Sequence, residues 1–501
     1  MQARRVAAVA SAFSLLLADA PPALAHGFGP TYDIPIPLWL YLYGAAAAVV
    51  LAFLPLVLFS RKEQGIAYQY PRFDLFRVPL LGTLLTSRLL TGGLRLLSVL
   101  LFLVVVVAGL VGLQSGFNIV PTFVWVIWWV GFSFITAFVG NLWPLVSPWR
   151  VIFDRTETLA RRSGYELELG QTYPEAIGIW PAVGLYLGFV WFENVFSGSY
   201  VPRNIVLFAL GYSLITLYGM AFFGKETWPR RGEAFSVFFG LLGRFAPTEV
   251  RVKDPNVCLG CDGCGDDAAG DCVNCYECFV RAAPRERELN LRPPAVGLGL
   301  PEKALPGTAA FVVVVLAGVT FDGLLETPLW LEIVRVTPVT QTLGVILLPA
   351  LFFGIYLGFV GLSRILGGGG EGGFGRFAAA YAFSLVPIAI AYQMAHYYTY
   401  LLIQGQMIIS LVSDPLGWGW NLFGTAAFEP RYGIVGAGFV WYSQVALIVA
   451  GHVIAVYLAH SVSLRLLRDP ARAFLSQLPM LVLMVLYTIT SLWILAQPIV
   501  R

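Results

Sequence analysis

About ten stretches of twenty or more mostly apolar residues recur along the chain, each long enough to cross the ~30 Å hydrocarbon core of a bilayer as a helix. They fall near 37–60, 94–116, 119–140, 176–197, 203–223, 308–330, 338–365, 377–403, 434–462 and 473–497. Lipid offers the backbone no hydrogen-bond partners, so a single segment spans it as a helix. The expected fold is therefore all-α, a polytopic transmembrane bundle of about ten spans with the lipid bilayer as its main partner. Composition agrees: 12% of residues are charged, against about 25% in soluble domains. The net charge of +3 is too small to argue for nucleic acid. The segment 228–247 is apolar but short and carries Glu233 and Arg244, so it reads as interfacial. No internal repeat is evident, which removes the usual signature of inverted-repeat transporters.

The first residues follow a different logic. Arg4 and Arg5 precede an apolar run from Val6 to Leu17, and Ala23-Leu24-Ala25 is a small-residue cleavage motif. This is the order of a secretory signal peptide over residues 1–25. Asp19, Pro21 and Pro22 cut the apolar run too short to span, so the mature chain is expected to begin at His26. With that end outside, the expected inner loops collect most of the Lys and Arg, including Arg150, Arg161, Arg162, Arg230, Arg231 and Arg364. The outer loops keep Arg203, Arg335, Arg431 and Arg501. This positive-inside asymmetry predicts a multi-pass protein of the bacterial cytoplasmic membrane with both mature termini outside. Residues 26–244 hold spans one to five with interfacial helices, 245–307 form a cytoplasmic Cys-rich loop, and 308–501 hold spans six to ten.

All six cysteines lie in that loop, as Cys258-x2-Cys261-x2-Cys264-x7-Cys272-x2-Cys275-x2-Cys278. Thiols in the cytoplasm stay reduced, so metal ligation leads over a disulfide framework. Two C-x-x-C turns can complete a tetrahedral thiolate set. One zinc, a two-zinc cluster and an iron–sulfur centre all remain open. Each C-x2-C-x2-C half matches the first three ligands of a bacterial ferredoxin cluster, without the fourth Cys and its Pro. Such a loop also offers a docking point for a cytoplasmic protein partner.

The chain has four histidines. His26, as a first residue, would present its α-amine and imidazole together, a nitrogen chelate suited to copper(II). His396 shares a helical face with Gln393, Tyr400 and Gln404. Polar and ionisable residues within a span face the bundle interior or a cavity. Asp322, His396 and Gln444 fall at similar depths in the outer half, with Gln393 beside them and Glu193 and Glu326 nearer the surface. They are expected to converge in an outer pocket as candidate catalytic residues, with copper as a candidate occupant. His452 and His460 lie ~12 Å apart along one helix, too far to share an ion. His396 and His452 differ too much in depth for an axial haem pair.

Several further motifs carry a resemblance. They are Ala25-His26-Gly27-Phe28-Gly29 leading to Asp33-Ile34-Pro35-Ile36-Pro37-Leu38-Trp39-Leu40, Gly140-Asn141-Leu142-Trp143-Pro144 with Ser147-Pro148-Trp149-Arg150, and Gly232-Glu233-Ala234-Phe235-Ser236-Val237. Thr320-Phe321-Asp322-Gly323 and Ala395-His396-Tyr397-Tyr398 complete the set. Together they resemble a group of bacterial polytopic membrane proteins commonly labelled fenitrothion hydrolase. The resemblance covers most of the chain. It implies metal-dependent hydrolysis of lipophilic, organophosphate-like esters, and brings no catalytic residue set with it. Readings from the residues alone are a copper-handling or transport protein, a membrane redox protein with an iron–sulfur loop, or an assembly subunit.

Overall fold

A computed structural model describes residues 38–59, 70–261, 272–300, 305–369, 373–467 and 469–497. The signal segment, His26 and Cys264 lie outside the described residues. The main helices, in chain order, begin with α1 (Leu38–Phe59), α2 (Arg88–Val111), α3 (Ile119–Phe138) and α4 (Pro148–Arg162). They continue with α5 (Trp180–Asn194), α6 (Pro202–Phe223), α7 (Thr227–Arg231), α8 (Ala234–Phe245) and α9 (Thr308–Leu325). The last four are α10 (Pro338–Leu366), α11 (Phe374–Ile403), α12 (Ala437–Leu466) and α13 (Pro470–Leu495).

Among the described residues, eight helices are long and apolar enough to cross a membrane. They coincide with eight of the expected spans. The other two expected spans are also helices. Within α1 the counted apolar stretch is Leu42–Phe53. In α5 the helix is 15 residues long, about 22 Å at 1.5 Å per residue, which is short of the hydrocarbon thickness.

The bundle is built around α9, buried on nearly every side, with α11 packed against it and α12 against α11. Two glycines permit the close approach. A Cβ at Gly323 would meet Ile494 Cγ2 at 2.9 Å and Tyr392 Oη at 3.0 Å; one at Gly451 would meet the Pro387 carbonyl oxygen at 2.8 Å.

Two features go beyond the sequence reading. The segment read as interfacial, 228–247, is packed against the bundle. Phe235, Phe238 and Phe239 of α8 are buried against Trp128, Trp129, Phe132, Tyr186 and Phe189 of α3 and α5. The buried Glu233 makes this possible, because it caps α8: its carboxylate accepts from the Phe235 and Ser236 amides at 2.8 and 2.7 Å and from the Tyr212 hydroxyl. An acid at a helix N-terminus meets the positive end of the helix dipole and its unpaired N–H groups. Glu233 and Arg244 thus sit at the two ends of an apolar helix.

The Cys-rich segment is also not a simple loop on an all-α protein. It belongs to a small antiparallel sheet of β1 (Phe73–Asp74), β2 (Thr248–Val252), β3 (Cys272–Val273) and β4 (Arg287–Leu291), in the order β1-β4-β2-β3. On β4 alternate residues turn inward, which buries Glu288 and Asn290, and on β2 Glu249 and Val252 are buried. Glu249 accepts from Arg72 Nε and Arg292 Nη1, both at 2.7 Å, and from the Tyr70 hydroxyl at 2.5 Å. Arg292 also donates to the carbonyls of Gly243, Arg244 and Ala246. It therefore satisfies the C-terminal end of α8 and ties the sheet to the bundle.

Candidate functional site

The structure brings the cysteines together. Cys258, Cys272 and Cys278 place their sulfurs within 4.8 Å of one another, and so do Cys261, Cys275 and Cys278. Cys278 is fully buried and belongs to both sets. The strand β3 presents Cys272, the short helix Tyr276–Arg281 and its N-cap present Cys278 and Cys275, and the turn Pro255–Cys258 and the residues after it present Cys258 and Cys261. Cys275 Sγ lies 3.4 Å from Cys278 Sγ and 3.5 Å from Cys261 Sγ, and the five are not disulfide-bonded. An all-sulfur donor set suits zinc, copper(I) or iron–sulfur and not a hard cation. The buried, clustered thiols fit such a group. Among the described residues, no other His, Cys, Asp or Glu atoms meet this spacing.

The cluster rests on the bundle through Arg230 of α7. Its guanidinium nitrogens lie 3.6 Å from Cys261 Sγ and 3.7 Å from Cys275 Sγ, and it pairs with Glu277. Arg281 pairs with the same carboxylate. Two cations thus offset charge on the thiolates and Glu277, a contribution that spacing in the sequence does not reveal.

A second site lies inside the bundle. Asp322 is fourteen residues into α9, about 21 Å from the helix end that adjoins the Cys-rich unit. His396 Nε2 donates to Asp322 Oδ2 at 2.8 Å, and the Tyr397 hydroxyl donates to the same oxygen at 2.6 Å. His396 and Tyr397 are adjacent on α11, so one helix supplies both donors. Glu193 of α5 and Glu326 just beyond α9 are near enough to interact electrostatically with Asp322.

The remaining expected members separate. Gln444 donates to the Ala395 carbonyl at 2.8 Å, which makes it an α11–α12 contact beside the pair. Gln393 is buried with neither side-chain polar atom hydrogen-bonded, and it lines a small void with Ser133, Phe238, Leu242 and Val315, apart from the Asp322–His396 pair. His452 Nδ1 donates to the Ile448 carbonyl and His460 Nδ1 to Gln477 Oε1, both at 2.8 Å. The proposed copper chelate at His26 and the sixth thiol, Cys264, lie outside the described residues. Sequence reasoning missed Tyr397 and Arg230. Tyr397 was legible only as the residue next to His396.

A cavity of about 2890 Å³ opens between the Cys-rich unit and the bundle. Cys258, Cys261, Cys272 and Cys275 line it, and His396 and Asp322 do not. No protein-family model, no curated protein and no solved structure matches this chain.

Proposed function

We propose that this chain is an integral-membrane metalloprotein with a thiolate–metal centre on one face of its bundle and a proton-exchanging group, Asp322 with His396 and Tyr397, inside it. The observation that carries the reading is the pair of cysteine triplets sharing Cys278, seated on Arg230. Zinc there would supply a fixed local fold, and an iron–sulfur group would supply an electron. Ionisable residues within membrane helices mark ion paths, proton relays or ligand sites, and the carboxylate–imidazole–phenol arrangement is able to hold and pass a proton. The Lys/Arg asymmetry supports ten spans, with α1 and α5 among them. It also supports a cytoplasmic Cys-rich face reachable by a soluble partner, and outward termini in a bacterial cytoplasmic membrane.

A second reading is hydrolysis of a lipophilic, organophosphate-like ester, as the resemblance implies. The orientation of His396 favours it: Asp322 holds Nε2, which leaves Nδ1 to accept a proton from water as water adds to phosphorus and the alcohol departs. A general base must reach its substrate, however, and the substrate-sized cavity lies elsewhere. The test is metal and acid-labile sulfide analysis of the purified protein, with turnover of a lipophilic phosphotriester measured on the wild type and His396→Ala. Thiolate-bound metal without turnover supports the first reading. Turnover lost in His396→Ala moves the function to hydrolysis. Protein purified without bound metal and unable to take up zinc or iron overturns the metalloprotein.

A further inference from the structure

We infer that the large cavity is a binding site for an anionic amphiphile, a molecule with an oxyanion head and an apolar tail, and that Arg231 receives the head. The inference does not depend on which metal the thiolates hold.

Arg231 ends α7 and is 8% exposed. Its guanidinium lies 5.3 Å from the centre of the Tyr173 ring, and no carboxylate pairs with it among the described residues. It lines the cavity. A largely buried cation without a paired acid depends on the cavity for its hydration, so an anion entering there would meet an uncompensated charge. Several arginines of this region have an acid: Arg230 has Glu277, Arg150 has Glu226, and Arg292 has Glu249. Arg95 is bonded to the Tyr276 hydroxyl and Arg287 to the Ala282 and Val280 carbonyls, whereas Arg231, among the described residues, meets only a ring face and borders the cavity.

Two further donors point to the same conclusion. Arg150 Nε and Thr216 Oγ1 are buried without a hydrogen-bond partner, and both residues line this cavity. All three border the same half of α6. Thr216 is on it. Arg150 follows Trp149, whose Nε1 donates to Ser213 Oγ at 2.7 Å. Tyr173, beneath Arg231, packs against Phe223 with ring centres 5.0 Å apart. Buried donors left without acceptors in a native protein call for an explanation. An oxyanion offers several acceptors at once, and a guanidinium matches carboxylate or phosphate with a two-pronged geometry.

The walls set the rest of the ligand. Among the described residues, arginines outnumber glutamates around the cavity, and no Lys, Asp or His lines it. Leu81, Leu85 and Leu90 form one apolar flank, and Phe353, Leu357 and Phe383 form another. A small inorganic anion would leave those surfaces wet. An acyl or alkyl tail would cover them, in keeping with ligand sites that are mostly apolar with a few placed polar groups.

The experiment uses the full-length protein in a neutral detergent. Dodecyl phosphate and inorganic phosphate are titrated separately while thermal unfolding is followed. Dodecyl phosphate is expected to stabilise the wild type with an apparent Kd at least tenfold below that of inorganic phosphate. Arg231→Gln is expected to weaken it at least tenfold, Arg231→Lys less, and Thr216→Val a few-fold. The wild-type comparison stands by itself should Arg231→Gln fail to fold. Equal affinity for the two phosphates overturns the amphiphile. No stabilisation by either compound overturns the site. Undiminished binding in a folded Arg231→Gln overturns the role of Arg231.

Discussion

The Cys-rich unit and the Asp322 site both bury acids, and they do so with opposite partners. On the Cys face, Glu249, Glu277 and Glu288 each meet cationic side chains drawn from separate parts of the chain. In the bundle, Asp322 meets a histidine and a phenol that are adjacent on one helix. Permanently charged arginines make fixed pairs that hold elements together. Histidine and tyrosine can exchange a proton, so the same carboxylate problem is solved there by groups that can change state. The comparison separates a region built to stay assembled from one able to do acid–base work.

The sharpest way to break the first half is at Arg292. Its side chain and that of Glu249 are both fully buried, and removing one partner of such a pair costs about 3–5 kcal/mol. Arg292→Ala is expected to lose that much stability by unfolding in detergent and to free the sheet from α8. The double substitution Arg292→Met with Glu249→Gln should recover a large part of it. If the single change is harmless, the unit is not held to the bundle by this pair.

In the second half, His396→Ala removes one of the donors to Asp322. The expected loss is about 1.5–3 kcal/mol, the range for a hydrogen bond to a charged group. Asp322→Asn in the same background should lessen it, because the buried charge is then gone. Equal losses in both variants would mean that the pair carries no charge.

Gly323→Ala tests the close approach of α9 and α11 on which that pair depends. The added Cβ would meet Tyr392 and Ile494, and overpacking typically costs about 1–3 kcal/mol. The wild-type stability retained in this variant would show that the helices have room to separate.

The smallest expected effect is acid sensitivity at Glu288. Partial burial raises the pKa of this carboxyl, but the Asn290 amide, Lys253 and Arg251 outweigh burial and hold it below the ordinary glutamate value. A depressed folded pKa gives stability that is fully present above the unfolded value, about 4.3, and lost as pH falls through the folded value. Unfolding curves should therefore lose stability below about pH 4.3 in the wild type, and less so in Glu288→Gln. An unchanged acid dependence in Glu288→Gln would contradict the assignment.

How much of this was legible in the sequence differs between the two regions for a physical reason. Hydrophobic length marked eight helices well, because lipid leaves a chain segment few choices. The cysteine spacing marked the thiol cluster because C-x-x-C ligands are close in sequence. Asp322 and His396 could be matched by depth along their helices. The sheet was not legible: β1 and β3 have two residues each, too short for a periodic pattern. Gln393 was placed beside His396 by helical spacing and Gln444 by depth, and neither shows which neighbour a side chain meets: Gln393 lines a small void one turn away and Gln444 reaches a backbone carbonyl. The burial of α8 depends on how Glu233 is used, as a helix cap, and a single charged letter does not show that.

The most direct test of the central claim is metal content per chain in the wild type, Cys258→Ala and Cys278→Ala, purified alike and loaded with the metal found in the wild type. Cys278 belongs to both triplets and Cys258 to one. The account expects Cys278→Ala to lose bound metal entirely and Cys258→Ala to keep part of it through Cys261, Cys275 and Cys278. Wild-type metal content in Cys278→Ala would contradict it.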